Sequence, residues 1–89
     1  MNEKKQTTEP KKQTQKPVEE VRNGLVKAAI WQNETAKGIR YSITFRRLYK
    51  EKGAKEWKST SSFGRDDLLV LRKVADQAHT RIQELQSDA

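Results

Sequence analysis

The chain contains no cysteine, so neither a disulfide framework nor a thiolate metal site can support it. It has one histidine, His79, and a zinc site would need several carboxylate partners around it. Only two prolines occur, Pro10 and Pro17, both near the N-terminus, so no proline breaks a strand or helix downstream. The four glycines, Gly24, Gly38, Gly53 and Gly64, are isolated and form no phosphate-cradling loop. Apolar residues make up 33% of the chain, and no run approaches the length needed to span a bilayer. The opening Met1–Lys5 lacks the apolar stretch of a secretory signal, which makes the cytoplasm the expected compartment, or the nucleus in a eukaryote. No basic amphipathic helix is visible, which argues against a membrane surface as partner.

What is present is positive charge. The formal net charge is +7, and residues 21–64 carry all of it, with ten Lys or Arg against Glu34, Glu51 and Glu56. All six aromatic rings lie in the same stretch: Trp31, Tyr41, Phe45, Tyr49, Trp57 and Phe63. Cations attract phosphate and rings stack on bases, so this composition suits a surface for single-stranded nucleic acid. A solvated basic surface over an ordinary aromatic core has the same composition.

A chain of 89 residues makes one small domain. Residues 1–19 are Lys, Gln, Thr, Glu and Pro with almost nothing apolar, and read as a disordered polar tail. Residues 20–86 are the expected domain, with residues 87–89 frayed. A domain of that size is marginal alone, and without disulfide or metal the remaining common support is a homodimer.

In the stretch Val21–Gln32, residues Leu25, Lys27, Ala29 and Trp31 alternate with Val26, Ala28, Ile30 and Gln32, the pattern of a strand. A short strand at Glu20–Arg22 precedes it, with Asn23–Gly24 as a bend. Asn33–Gly38 reads as a hairpin connection longer than two residues. Ile39–Lys50 is the clearest strand, with Tyr41, Ile43 and Phe45 toward a helix and Arg40, Ser42, Thr44 and Arg46 away from it. Glu51–Glu56 is a charged turn around Gly53, and Trp57–Ser62 is a further strand. Asp66–Leu85 is a helix whose stripe runs Leu68, Leu71, Ala75, Ala78, Ile82, Leu85. Gly64 is its expected N-cap, with a Phe63–Leu68 staple and with Asp66 and Asp67 in the first turn. The fold class is α+β: an antiparallel sheet of three to four strands followed by one long C-terminal helix on one face. Leu69 and Val74 widen the apolar face, so Leu69, Val74, Ala78 and Ile82 are the candidate dimer contacts.

The candidate nucleic-acid contacts are Lys27, Lys37, Arg40, Arg46, Arg47, Tyr49, Lys50, Lys52, Lys55, Trp57 and Lys58. Arg40 and Arg46 fit the outer face. Arg47 points the other way and is expected to snorkel past the core edge. Lys50, Lys52, Lys55 and Lys58 flank one loop, either as a phosphate grip or as protection of a sheet edge. Trp31 and Trp57 are stacking candidates, with burial in the core as the competing role of each. His79 has no partner pattern for nucleophilic chemistry, and the capping role accounts for Asp66 and Asp67. Nothing in the sequence points to an enzyme, a cofactor, a bound metal or a small-molecule substrate.

The element order, together with Ile43–Thr44–Phe45–Arg46–Arg47–Leu48–Tyr49, the charged turn 50–56 and Leu68–Leu71, resembles the positive cofactor four type of single-stranded-DNA-binding coactivator, to which the Whirly proteins are larger relatives. That resemblance implies paired protomers and sheets that bind unpaired strands. Leu48 departs from the family's aromatic run. The pattern Trp31–Asn33, Tyr41–Ser42, Ser62–Gly64, Ala78–His79 also looks like that of small uncharacterised bacterial proteins, which implies no function. The expected function is binding of single-stranded DNA with little sequence preference. A three-stranded sheet on one helix also resembles plant ethylene-response-factor domains and the arm-site domains of tyrosine recombinases, which would imply duplex DNA. A third reading is a protein-interaction module that docks through its helix.

Overall fold

The structure, a computed structural model, describes residues 12–87. It is an α+β fold: an open antiparallel sheet followed by a single C-terminal helix. The strands are β1 (Lys12–Gln13), β2 (Glu19–Asn23), β3 (Val26–Thr35), β4 (Gly38–Tyr49) and β5 (Lys58–Thr60). They fill four positions across the sheet, because β1 and β2 both pair with the same side of β3.

The expected disordered tail is therefore too long. Residues 1–11 lie outside the described residues, but Lys12–Gln13 already pairs with Glu34 and Asn33, and Glu19 opens β2. Between Gln13 and Glu19 the edge advances six residues while β3 advances three, from Asn33 to Ile30. The break centres on Pro17, which has no N–H to give the ladder. Backbone bonds from Thr14 N to Gln32 O (3.0 Å) and from Val18 N to Ile30 O (2.8 Å) hold both sides of it.

Two tight turns build the main hairpins. Gly24 and Leu25 join β2 to β3, and Gly24 has φ +60°, the left-handed value that a two-residue hairpin needs at its first turn position. Ala36 and Lys37 alone separate the paired Thr35 and Gly38, so this connection is shorter than the sequence suggests. Thr35 explains it: its hydroxyl donates to Gly38 O (2.8 Å) and accepts from Lys37 N (3.1 Å), which ties the turn closed. Gly38, at φ +110°, supplies just after the turn a backbone conformation that other residues rarely adopt.

A 3-10 turn at Arg65–Asp67 leads into α1 (Leu68–Ser87). The Asp67 carboxylate accepts from Gly64 N (2.7 Å), capping the helix start as its acidic first turn implied. Of the expected Phe63–Leu68 staple pair, Phe63 packs on the core while Leu68 is 53% exposed. Helix α1 packs over β2 and β3. Its buried positions are Val74 and Ala78, flanked by Leu71, Ile82 and Leu85. The helix is thus rotated from the expected stripe, with Val74 at its centre and Leu68 outside it. Val26, Ala28 and Ile30 meet it from β3.

This packing removes most of the expected helix-mediated dimer contact. Val74 is 0% exposed and Ala78 2%, so neither can meet another protomer, and Ile82 is half-buried against the same core. Leu69 alone of the four is open, at 75%. Ile30→Ala should lower the unfolding free energy by about 2–5 kcal/mol. Leu69→Ala should change it by about 0.5 kcal/mol or less. Chemical denaturation of the two variants measures the difference, and similar losses would mean the helix buries the wrong face.

Candidate nucleic-acid interface

Side chains alternate across a strand, and directly opposed residues of an antiparallel pair share a face. Val26, Ala28 and Ile30 therefore place Arg47, Phe45 and Ile43 on the helix side through their pairing. The outer face carries Lys27, Ala29, Trp31 and Asn33 of β3 with Arg46, Thr44, Ser42 and Arg40 of β4. This agrees with the outward direction expected of Arg40, Ser42, Thr44 and Arg46.

The register also aligns cations across the sheet. Arg22 of β2 lies opposite Lys27, and Lys27 lies opposite Arg46. Three cations on three neighbouring strands form one transverse row. Arg22 is not among the contacts expected from the sequence. Its place follows only once the Gly24–Leu25 turn pairs β2 with β3. Arg22 Nε donates to Gly24 O (2.9 Å). Lys27 lies 3.8 Å from Glu20. Arg46 is braced by β5: Nε and Nη2 donate to Ser59 Oγ at 3.3 and 3.0 Å, and Nη2 also to Ser59 O at 3.3 Å. Among the described residues these bonds leave both Nη1 hydrogens of Arg46 for another acceptor.

Trp31 lies on the same outer face, half-buried, one strand position diagonal to Thr44. Its Nε1 donates to Thr44 Oγ1 (3.0 Å), so the indole leans across onto β4. It stands outside the core and shares the parity of Lys27. Beyond it Asn33 is buried, donating Nδ2 to Ser42 Oγ (3.0 Å), with its Oδ1 lacking a partner among the described residues. Arg40 stands opposite Asn33 and is exposed. Arg40 and Arg46 are six residues apart on one strand, about 20 Å. The indole of Trp31 sits between them.

The other candidates are dispersed. Lys37 is in the β3–β4 turn, at the Arg40 end. Lys50, Lys52 and Lys55 are exposed in the β4–β5 connection at the opposite end, where Gly53 at φ +80° completes a turn closed by Ala54 N to Glu51 O (3.0 Å). Trp57 is 56% exposed there, with Lys50 Nζ 6.0 Å from its ring centre, at the outer limit of a cation–π contact. Tyr49 and Lys58 oppose each other on the helix side of the sheet, and Lys58 is paired to Glu51 at 3.0 Å. Neither shares a surface with Arg46.

Arg47 is engaged in the fold rather than snorkelling. Its Nε donates to Ser62 O (3.0 Å) and lies 3.3 Å from Asp67 Oδ2. It joins β4 to the capped start of α1. A comparable tie holds the other end, where Arg81 Nε donates to Glu19 Oε2 (2.8 Å) and Nη1 to Glu84 Oε1 (2.7 Å). The hydrogen bond to Glu19, then that to Glu84, holds the Arg81 guanidinium above its ordinary pKa range. Among the described residues no cluster of His, Asp or Glu could hold a metal ion, and no helix is long and apolar enough to cross a membrane. A shallow open trough on the solvent side of α1 is lined by Leu69, Arg72, Asp76 and His79.

No protein-family model, curated protein or solved structure matches the chain. Arg47→Ala should cost about 1–2 kcal/mol of stability, a charge-assisted bond and a partly exposed ion pair lost together. Urea titration measures it. An unchanged midpoint would free Arg47 from its structural role.

Proposed function

We propose that the chain binds single-stranded nucleic acid along the outer face of its sheet, with little sequence preference. The observation that carries this reading is the row Arg22–Lys27–Arg46 on the same face as Trp31. A row on three different strands is a fixed array, because the ladder bonds set its spacing rather than flexible chain. Such an array holds successive phosphates by charge, independent of base identity. The Trp31 indole, tethered at its nitrogen by Thr44, offers a stacking surface whose orientation is already restricted. Arg40 extends the path along β4. The resemblance to the positive cofactor four type points to the same ligand.

The reading favours a single strand over a duplex. Arg46 folds back onto Ser59, and Trp31 leans on Thr44. Both lie along the sheet, whereas reading a major groove requires side chains that project from it.

Fluorescence anisotropy with labelled single-stranded and duplex oligonucleotides of equal length, over a salt series, tests the proposal. Single-strand binding should be tighter and should fall with salt. Arg46→Ala and Lys27→Ala should each flatten the log–log salt slope by about 0.7. Trp31→Ala should weaken binding by about 1–3 kcal/mol if its fold is retained by circular dichroism. Lys58→Ala, on the other side of the sheet, should leave the affinity unchanged. Absence of binding at low salt, or a loss with Lys58→Ala equal to that with Arg46→Ala, would overturn the assignment of this face.

A further inference from the structure

Strand β3 pairs with β4 from Gly38 to Arg47, whereas β5 covers only Arg47–Tyr49 on the other side. From Ile39 to Phe45 the far edge of β4 therefore has no neighbouring strand among the described residues. Which backbone groups it strands follows from the alternation of an antiparallel ladder. Leu48 N donates to Leu25 O on the β3 side (2.8 Å), so even-numbered residues of β4 turn their N–H and C=O toward β3. Odd-numbered residues turn theirs to the open edge, in agreement with the pairing of Arg47 and Tyr49 to β5. Ile39, Tyr41, Ile43 and Phe45 thus present their N–H and C=O groups outward, without a backbone partner among the described residues.

This edge lacks the usual protections. It carries no proline, its register with β3 runs without a bulge, and its single charged residue, Arg40, stands on the outer face rather than toward the helix side. On the helix side, Tyr41, Ile43 and Phe45 are only half-buried, because α1 packs over β2 and β3. An open edge and an incompletely covered apolar row coincide on one strand.

We propose that this edge pairs with the same edge of a second copy, antiparallel, about a two-fold axis at Ser42. That register is the one in which all four outward-facing residues find mates. Ile39 then opposes Phe45 of the second copy, and Tyr41 opposes Ile43. On the outer face, Ser42 opposes Ser42, Arg40 opposes Thr44, and Arg46 opposes Gly38. Each pairing on the helix side puts apolar beside apolar, and over residues 38–46 no cation faces a cation. Centring the axis on Ile43 would set Arg40 against Arg46 and would direct Ile39 to Arg47, which β5 already occupies. The pairing joins two sheets into one and sets the two outer faces side by side, so the candidate interface doubles in length. It does not depend on nucleic-acid binding.

The chain has no cysteine, which makes the seam directly testable. At a Ser42 axis the two Ser42 residues form a non-hydrogen-bonded pair with Cα atoms about 4.5 Å apart, within disulfide reach. The two Thr44 residues would lie four positions apart along the strands, about 13 Å. Sedimentation across a concentration series should give the wild-type protein twice the chain mass. Mild oxidation should convert Ser42→Cys to a disulfide-linked dimer that reductant dissolves, and leave Thr44→Cys unlinked. Ile39→Lys, at a position 45% exposed and so harmless to the protomer, should return the mass to that of one chain. A wild-type monomer at all concentrations would overturn the proposal, including the case in which this edge accepts a strand of another protein. So would a dimer that Ile39→Lys leaves intact and Ser42→Cys does not link.

Discussion

The register of β3 is the constraint on which the other features depend. This strand is paired on both sides, and its even-numbered residues Val26, Ala28 and Ile30 are buried under α1. Because the side-chain period is two, a slip of one residue would put Lys27, Ala29 and Trp31 into the core and Val26 and Ile30 into solvent. Burying Lys27 unpaired is far costlier than any gain available to so small a core. The core therefore fixes not only its own packing but also the row Arg22–Lys27–Arg46 and the position of Trp31 on the reverse face. The candidate interface is the obligatory complement of the core pattern.

The helix is placed by two polar ties at opposite corners. Asp67, at its start, accepts from Gly64 and meets Arg47 of β4, while Arg81, near its end, meets Glu19 of β2. Each ion pair is partly exposed and contributes little to stability. Their value is in direction: they connect the two ends of α1 to different strands and so set its path across the sheet. That path covers β2 and β3 and leaves the apolar row of β4 half-open. Among the described residues, five make up the buried apolar core under the helix, Val26, Ala28, Ile30, Val74 and Ala78, which is modest for a domain of this length. A sheet extended by a second copy would cover the β4 row without any change in the protomer.

The parts of the fold that are legible in the sequence are those in which side-chain chemistry records the periodicity. Tyr41, Ile43 and Phe45 alternate with Arg40, Ser42 and Thr44, and that alternation alone assigns their faces. The helix is equally plain, but not its rotation. Leu68, Leu69, Val70 and Leu71 are consecutive, so the first turn is apolar all round, and only the narrow footprint of β2 and β3 selects Val74 over Leu68 as the centre. Strand β1 leaves no such trace, since Lys12–Gln13 joins the sheet by backbone bonds at an edge, and β2, expected at Glu20–Arg22, begins one residue earlier at Glu19. The role of Arg47 is hidden for a different reason. Its partners, Ser62 and Asp67, are distant in sequence and reach it only through the β4–β5 connection.

Trp31 and Trp57 differ in exposure and, in the opposite sense, in how firmly the fold holds them. Trp57 is the more exposed, but it sits at the β4–β5 connection beyond the ladder, with Lys50 Nζ 6.0 Å from its ring centre. No ladder bonds fix its position, so ordering it on a ligand would cost side-chain entropy. Trp31 is half-buried and hydrogen-bonded at its nitrogen, and its strand is paired on both sides. Much of that entropy is already lost on folding, and less of the stacking energy would be spent on ordering. The cations differ in the same way. Arg46, braced by Ser59, would meet a phosphate with its guanidinium already oriented, whereas Lys52 and Lys55 would contribute charge without geometry. A ligand held by this face would therefore be positioned by the ladder residues and only attracted by the loop.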